Sequence, residues 1–176
     1  MENGYYTHRP YLKQELDSLL SLKKDVKVLE FGTGDGSSEV LNQYAQNNPG
    51  LSIIGFESDK AWYDSMKGKY ELPNYQMIFV EDWDKLLETY AFNQYDLVFV
   101  DQGPTFEVRM RTIDRLIDST RTIILHDYDY YNRELQKIED IYSFDNKSYF
   151  GKYLDKFNIK GYSNQLPPTL VFNKII

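Results

Sequence analysis

Apolar and polar positions along the chain switch between two periods. Leu12, Leu16, Leu19 and Leu20 recur at helical spacing behind Pro10, a residue suited to the first turn of a helix. Val26–Phe31 (VKVLEF) reads as a strand running into the glycine-rich stretch Gly32–Gly36. Ser37 or Ser38 then caps a helix that turns Val40, Leu41 and Tyr44 inward. Asn48-Pro49-Gly50 marks a turn, and Ser52–Glu57 (SIIGFE) a second strand. Asp59 caps a helix ending near Lys69, before Pro73. Tyr75–Val80 is a third strand and Trp83–Tyr90 a short helix. Tyr95–Asp101 (YDLVFVD) is nearly all apolar, as a strand covered on both faces should be. A helix over Thr105–Asp118 carries Phe106, Met110, Ile113 and Ile117 on one stripe. Thr120–His126 is a fifth strand, and Arg133–Tyr142 reads as a helix with Leu135, Ile138 and Ile141 inward. Phe157–Tyr162 and Thr169–Ile175 are two closing strands around Pro167-Pro168.

Five strands alternating with helices predict βαβ units, hence a mostly parallel α/β sheet with helices on both faces. The closing pair breaks that rule. A parallel neighbour needs a crossover of about a dozen residues. Ser163–Pro168 is too short, so the last strand runs antiparallel to the one before it. The 176 residues make one domain, with 1–25 as its N-terminal helix and lid segment.

Composition removes several function classes. There is no cysteine, so no disulfide framework and no Cys-based zinc site. Asp and Glu number 27 against 20 Lys and Arg, a formal charge of −7. That balance argues against a protein that grips a phosphate backbone. The first residues are polar where an export signal needs an apolar core. The longest apolar runs fall far short of the ~20 residues of a spanning helix. A cytoplasmic protein without membrane or nucleic-acid partners is expected.

The chemistry concentrates at Glu30-Phe31-Gly32-Thr33-Gly34-Asp35-Gly36-Ser37-Ser38, which leaves a strand and opens a helix. Open α/β sheets bind ligands at the carboxyl ends of their strands. Glycine lets the backbone approach a ligand closely, and a helix N-terminus offers free N–H groups. A P-loop would end in Gly-Lys-Ser/Thr, and no lysine is present. A dinucleotide fingerprint would need glycine at position 37, which is Ser37. The pattern present is E-x-G-x-G-x-G. An acidic strand end suits an ammonium better than a pyrophosphate, which favours S-adenosylmethionine (SAM) over NAD(P). An NAD(P)-linked oxidoreductase is the competing enzyme class, and a SAM-binding partner subunit with a silent site the non-enzymatic one.

Other strand ends fall in register. Glu57 stands roughly 20 residues beyond the loop, where an acid accepts from ribose hydroxyls, with Ser58 beside it. Asp82 is placed to accept from an adenine amino group, and Trp83 or Phe56 to stack on the ring. A helix cap and core packing are the structural alternatives for Asp82 and Trp83. Asp101 ends the fourth strand near the expected methyl position.

These residues resemble those of class I SAM-dependent methyltransferases. Glu30–Gly36 matches the first motif (Glu30, Gly32, Thr33, Gly34, Gly36, Ser37). Glu57 matches the ribose acid, Asp82 the adenine contact, and Tyr95–Asp101 the fourth strand. The terminal pair around Pro167-Pro168 resembles the sixth and seventh strands of that Rossmann-like, seven-stranded fold. The resemblance covers nearly the whole chain and implies SAM as cofactor.

Residues just beyond the fourth and fifth strands narrow the acceptor. Asp101-Gln102-Gly103-Pro104 departs from the D/N-P-P-Y/F motif of enzymes that methylate planar amino groups. It is closer to a stretch in glucuronoxylan-type polysaccharide O-methyltransferases. His126 ends the fifth strand and is a candidate general base for a hydroxyl; a structural histidine is the alternative. His126 and Asp127 point to opposite faces if the strand stays regular. Asp101, Asp127 and Asp129 resemble the strand-end carboxylates of metal-assisted O-methyltransferases, which implies Mg²⁺ or another divalent ion on Asp101 and Asp127. Tyr5, Tyr6, Tyr128, Tyr130 and Tyr131 suit a sugar or phenolic acceptor. His8-Arg9 is placed to fold over the site, and Arg109, Arg111 and Arg115 to form a solvated helix face. The expectation is an O-methyltransferase for a sugar, glycan or other small molecule, with a homodimer allowed.

Overall fold

The structure, a computed structural model, describes residues 6–128, 149–162 and 167–175. Its element order is α1 (Arg9–Leu22), β1 (Val26–Phe31), α2 (Ser37–Asn47), β2 (Leu51–Glu57), α3 (Lys60–Tyr70), β3 (Tyr75–Phe79), α4 (Trp83–Thr89), β4 (Tyr95–Val100), α5 (Phe106–Leu116), β5 (Thr120–His126), β6 (Phe157–Tyr162) and β7 (Thr169–Lys174). The predicted β1, β5 and β6 match residue for residue, and the other strands shift by one residue at an end. The helix expected over Arg133–Tyr142 lies outside the described residues.

The strands form one sheet of order β3-β2-β1-β4-β5-β7-β6. Its first five strands are parallel, and β7 enters antiparallel between β5 and β6. This is the expected hairpin ending, and it departs from the 3-2-1-4-5-6 order of dinucleotide-binding domains. Among the described residues no helix is long and apolar enough to cross a membrane.

Strand alternation sorts the core into two layers. Val28, Leu97, Phe99 and Ile124 pack with Leu12, Leu16, Val40, Leu41 and Met66 of α1, α2 and α3. Leu29, Phe31, Val98 and Val100 pack with Trp83, Leu87, Phe106, Ile113 and Leu116 of α4 and α5. The same parity aims Glu30 of β1 and His126 of β5 at the α1–α2 layer. Order reverses between β1 and β4, and the glycine loop and Asp101 stand at that switch point, where such sheets bind ligands.

Capping differs from expectation at α2. Its N-cap is Gly36, without a side-chain cap, because the hydroxyls of Ser37 and Ser38 turn back to Glu30. At α3 the expected cap forms, and at α4 the cap weighed as the structural alternative for Asp82 forms. Asp59 accepts from the Trp62 N–H, and Asp82 Oδ1 accepts from the N–H groups of Asp84 and Lys85.

Candidate functional site

The glycine loop is held from below, from the side and from above. Below it, Glu30 is fully buried. Its Oε1 accepts from Ser37 Oγ at 2.6 Å and Ser38 Oγ at 2.9 Å, and its Oε2 accepts from the Tyr75 hydroxyl. Burial pushes its carboxyl up to about 7, against the downward pull of those three hydroxyls and with a small upward push from Glu57. Glu30 therefore acts on the loop from beneath, with no surface to offer a ligand ammonium. Gly32 has φ +84°, and a Cβ there would sit 2.7 Å from the Gln102 nitrogen. Only glycine lets the loop pass so close to the end of β4. A Cβ on Gly34 would meet nothing within 4 Å, so the loop opens outward at that point.

From the side, Glu57 joins the loop to the end of β2. Its Oε2 accepts from the Thr33 N–H at 3.0 Å, and its Oε1 accepts from the N–H groups of Ser58 and Asp59. From above, Arg9 donates to the carbonyls of Gly36 at 3.0 Å and Asp35 at 2.7 Å, and pairs with Glu39. Arg9, expected with His8 to fold over the site, thus bonds to the backbone of the glycine loop.

The two rings expected to stack on a ligand are packed into the core. Trp83 is 6% exposed and sits in the core near Phe31, with its Nε1 donating to Ser58 Oγ. Phe56 is fully buried in the same layer, so neither ring offers a stacking face. Asp82 is exposed and caps α4. The aromatic ring that does lie at the loop is Trp62, 43% exposed, donating from Nε1 to the Thr33 carbonyl at 2.6 Å. A tryptophan three residues after Asp59, in the first turn of a capped helix, was the available signal.

At the ends of β4 and β5 a second group of side chains converges. His126, 4% exposed, places Nδ1 3.2 Å from Asp101 Oδ2 and Nε2 3.3 Å from Thr7 Oγ1. Arg109 ion-pairs with Asp101 Oδ1 at 3.1 Å and donates to the carbonyls of Gln102, His126 and Asp101. It thus ties the two strand ends together and is no solvated side chain. Arg115 is exposed while its Nε donates to the Leu87 carbonyl, and Arg111 is half-exposed and paired with Asp84, so these two keep the expected solvated face. Burial pushes the Asp101 carboxyl up, but the hydrogen bond from His126 and the charge of Arg109 outweigh it and hold the group below the usual carboxylate range. His8 packs its ring 4.3 Å from that of His126 and 4.9 Å from that of Phe99. Burial lowers its pKa to about 3, helped by His126.

The metal expected on Asp101 and Asp127 does not fit this donor set. Both Asp101 oxygens face donors, and one of those is a guanidinium. Among the described residues no group of three or more His, Asp or Glu is placed to hold an ion. Asp127 takes φ +57° and donates its N–H to the Pro168 carbonyl. The strand therefore does not stay regular there, and opposite-face alternation no longer applies. Asp129, Tyr5, Tyr130 and Tyr131 lie outside the described residues, and Tyr128 is buried.

No protein-family model and no curated protein matches the sequence. Solved structures do match its fold. A candidate caffeoyl-CoA O-methyltransferase from Staphylococcus aureus aligns with a TM-score of 0.66 at 12% identity, over 95% of this chain and 84% of that one. A candidate rRNA methylase from Clostridium thermocellum aligns with a TM-score of 0.64 at 18% identity, over 94% and 96% of the two chains. M. capricolum TrmK, solved with S-adenosyl-homocysteine, aligns with a TM-score of 0.50 at 13% identity, over 93% and 67%. The chain has the class I SAM-dependent methyltransferase fold. In that methyltransferase fold the open side of Gly34, the acid Glu57 and the ring of Trp62 surround one edge of the switch point. Asp101 and His126 stand on the other.

Proposed function

We propose that the protein is a SAM-dependent methyltransferase that moves a methyl group to a hydroxyl of a sugar, glycan or other small molecule, with His126 as general base and Asp101 orienting it. The observation that carries this reading is the Asp101–His126 contact at 3.2 Å, at the mouth of the methyltransferase sheet. SAM, when bound, supplies an already activated methyl group. The chain then has to align an acceptor oxygen and take its proton. An alcohol needs such a base, whereas a planar amino group does not.

The loop fits the cofactor. Gly32 and Gly34 bring bare backbone to the switch point, and Gly34 opens into free space. Glu57 lies at the end of β2, where a ribose would meet it. Asp101 faces Nδ1, so a neutral His126 ring carries its lone pair on Nε2 and takes the proton there. The sheet order with an inserted antiparallel β7 supports this reading over NAD(P). The charge of −7 supports a small acceptor over RNA.

Two measurements test it. Calorimetry should show binding of S-adenosylhomocysteine and none of NAD; binding of NAD alone would end the proposal. A screen of glycan, sugar and phenolic acceptors with methyl-labelled SAM should give product in EDTA, since no step uses a metal.

A further inference from the structure

Among the described residues, the hydroxyl that faces the proposed base belongs to the protein itself. Thr7 Oγ1 stands 3.3 Å from His126 Nε2, and it donates its proton to the carbonyl of Pro167. A hydroxyl has a single proton, so Thr7 has none left for His126. Asp101 meanwhile claims Nδ1. An imidazolium would donate to both oxygens, but a base must be neutral, and the neutral tautomer Asp101 selects leaves its Nε2 lone pair against an oxygen that cannot donate. An alcohol that brought a free O–H to the position of Thr7 Oγ1 would satisfy that lone pair, and Thr7 does not.

A second unmet demand lies alongside. His8 is 3% exposed, and among the described residues neither of its ring nitrogens has a hydrogen-bond partner. Buried polar groups are nearly always paired, so an orphaned imidazole 4.3 Å from His126 calls for an explanation. Its shifted pKa keeps it neutral, with one N–H and one lone pair. A ligand with one hydroxyl at His126 and a second on the neighbouring carbon would meet both demands.

We propose that the position of Thr7 Oγ1 is the acceptor-hydroxyl subsite, that its ligand is a vicinal diol reading both His126 and His8, and that the strap Tyr6–Arg9 holds a surrogate hydroxyl there until the diol displaces it. The strap is built for this. Among the described residues the Thr7 side chain is bonded only to His126 and the Pro167 carbonyl, both through its hydroxyl. Arg9, two residues on, is locked to the carbonyls of Asp35 and Gly36. Release at Thr7 thus leaves α1 and the glycine loop in place. The assignment rests on the reading of His126 as the base.

The test reads occupancy rather than turnover. The chain has two histidines, so ring ¹⁵N–¹H spectra of the full-length protein with S-adenosylhomocysteine hold two sets of signals, which His8→Phe assigns. The probes are catechol, methyl α-D-glucoside and glycerol, with phenol as the monohydroxy control. At least one diol should move the His126 and His8 signals saturably, with phenol several-fold weaker. Thr7→Val should lower the diol midpoint at least fivefold, and Thr7→Ser should keep the wild-type midpoint. Equal midpoints in Thr7→Val and wild type overturn the proposal. So does a Thr7→Val protein whose histidines respond to no probe, or respond equally to phenol and catechol. Thr7→Ala serves if the valine does not fold. Methyl transfer that survives His126→Gln would end the base assignment and with it the acceptor role of this position, whereas diol binding in place of Thr7 is read separately, without turnover.

Discussion

Asp101 and His126 touch because β4 and β5 pair in parallel with Val100 opposite Leu125, which brings the next residue of each strand face to face. Both side chains then point to the α1–α2 layer, where Thr7 and His8 arrive from the start of α1. Replacing either partner should leave the sheet intact. His126→Gln is expected to lower kcat by about 10² or more, the range of general-base catalysis. Asp101→Asn should lower kcat with little change in KM, since it orients the ring and does not hold the acceptor. Both are read with labelled SAM once an acceptor is found.

Gly32 and Gly34 should separate folding from binding. Gly32→Ala forces a side chain into the left-handed region and against the Gln102 backbone. It should cost roughly 1–3 kcal/mol in chemical denaturation. Gly34→Ala meets no atom of the protein, so its melting temperature should stay near wild type while affinity for S-adenosylhomocysteine falls about tenfold or more. A Gly34→Ala protein that bound normally would remove the loop from the cofactor site.

Glu30 makes the loop sensitive to pH. Its folded pKa of about 7 lies above the ordinary 4.5, so the native state keeps a proton that the unfolded chain releases. That contribution is complete below pH 4.5 and is lost as pH rises through 7. Glu30→Gln should therefore gain in melting temperature relative to wild type between pH 5 and 8. A constant difference over that range would contradict the assignment.

His8 has the opposite sign. Its folded pKa of about 3 lies below the ordinary 6.5, so its contribution is complete above pH 6.5 and is lost as pH falls toward 3. His8→Phe keeps a ring against Phe99 and His126 and removes the buried nitrogens. Its melting temperature should pull ahead of wild type as the pH drops from 6.5 to 4, measured by circular dichroism.

Arg9→Ala should loosen the loop from above. It removes charged hydrogen bonds to the carbonyls of Asp35 and Gly36, for which about 2 kcal/mol is the usual order. S-adenosylhomocysteine should bind several-fold more weakly, and a variant matching wild type in both respects would show that Arg9 does not shape the loop.

Sequence alone determined the elements and pointed to the strand ends that form the candidate site. Alternation over Val26–Phe31 and Tyr95–Val100 comes from burial on two faces, and it is written in consecutive residues. The glycines at 32, 34 and 36 and the acid at Glu57 follow from local geometry at strand ends, so they too were legible. Partners were not. The Glu30 carboxylate meets Tyr75 from 45 residues away, and Thr7 meets His126 across 119. Such pairs depend on strand order and register, where a slip of one residue would turn each side chain to the other face. Tertiary structure alone therefore decided that Trp83 and Phe56 are core, that Arg109 is a clamp, and that the hydroxyl facing His126 belongs to the N-terminal strap.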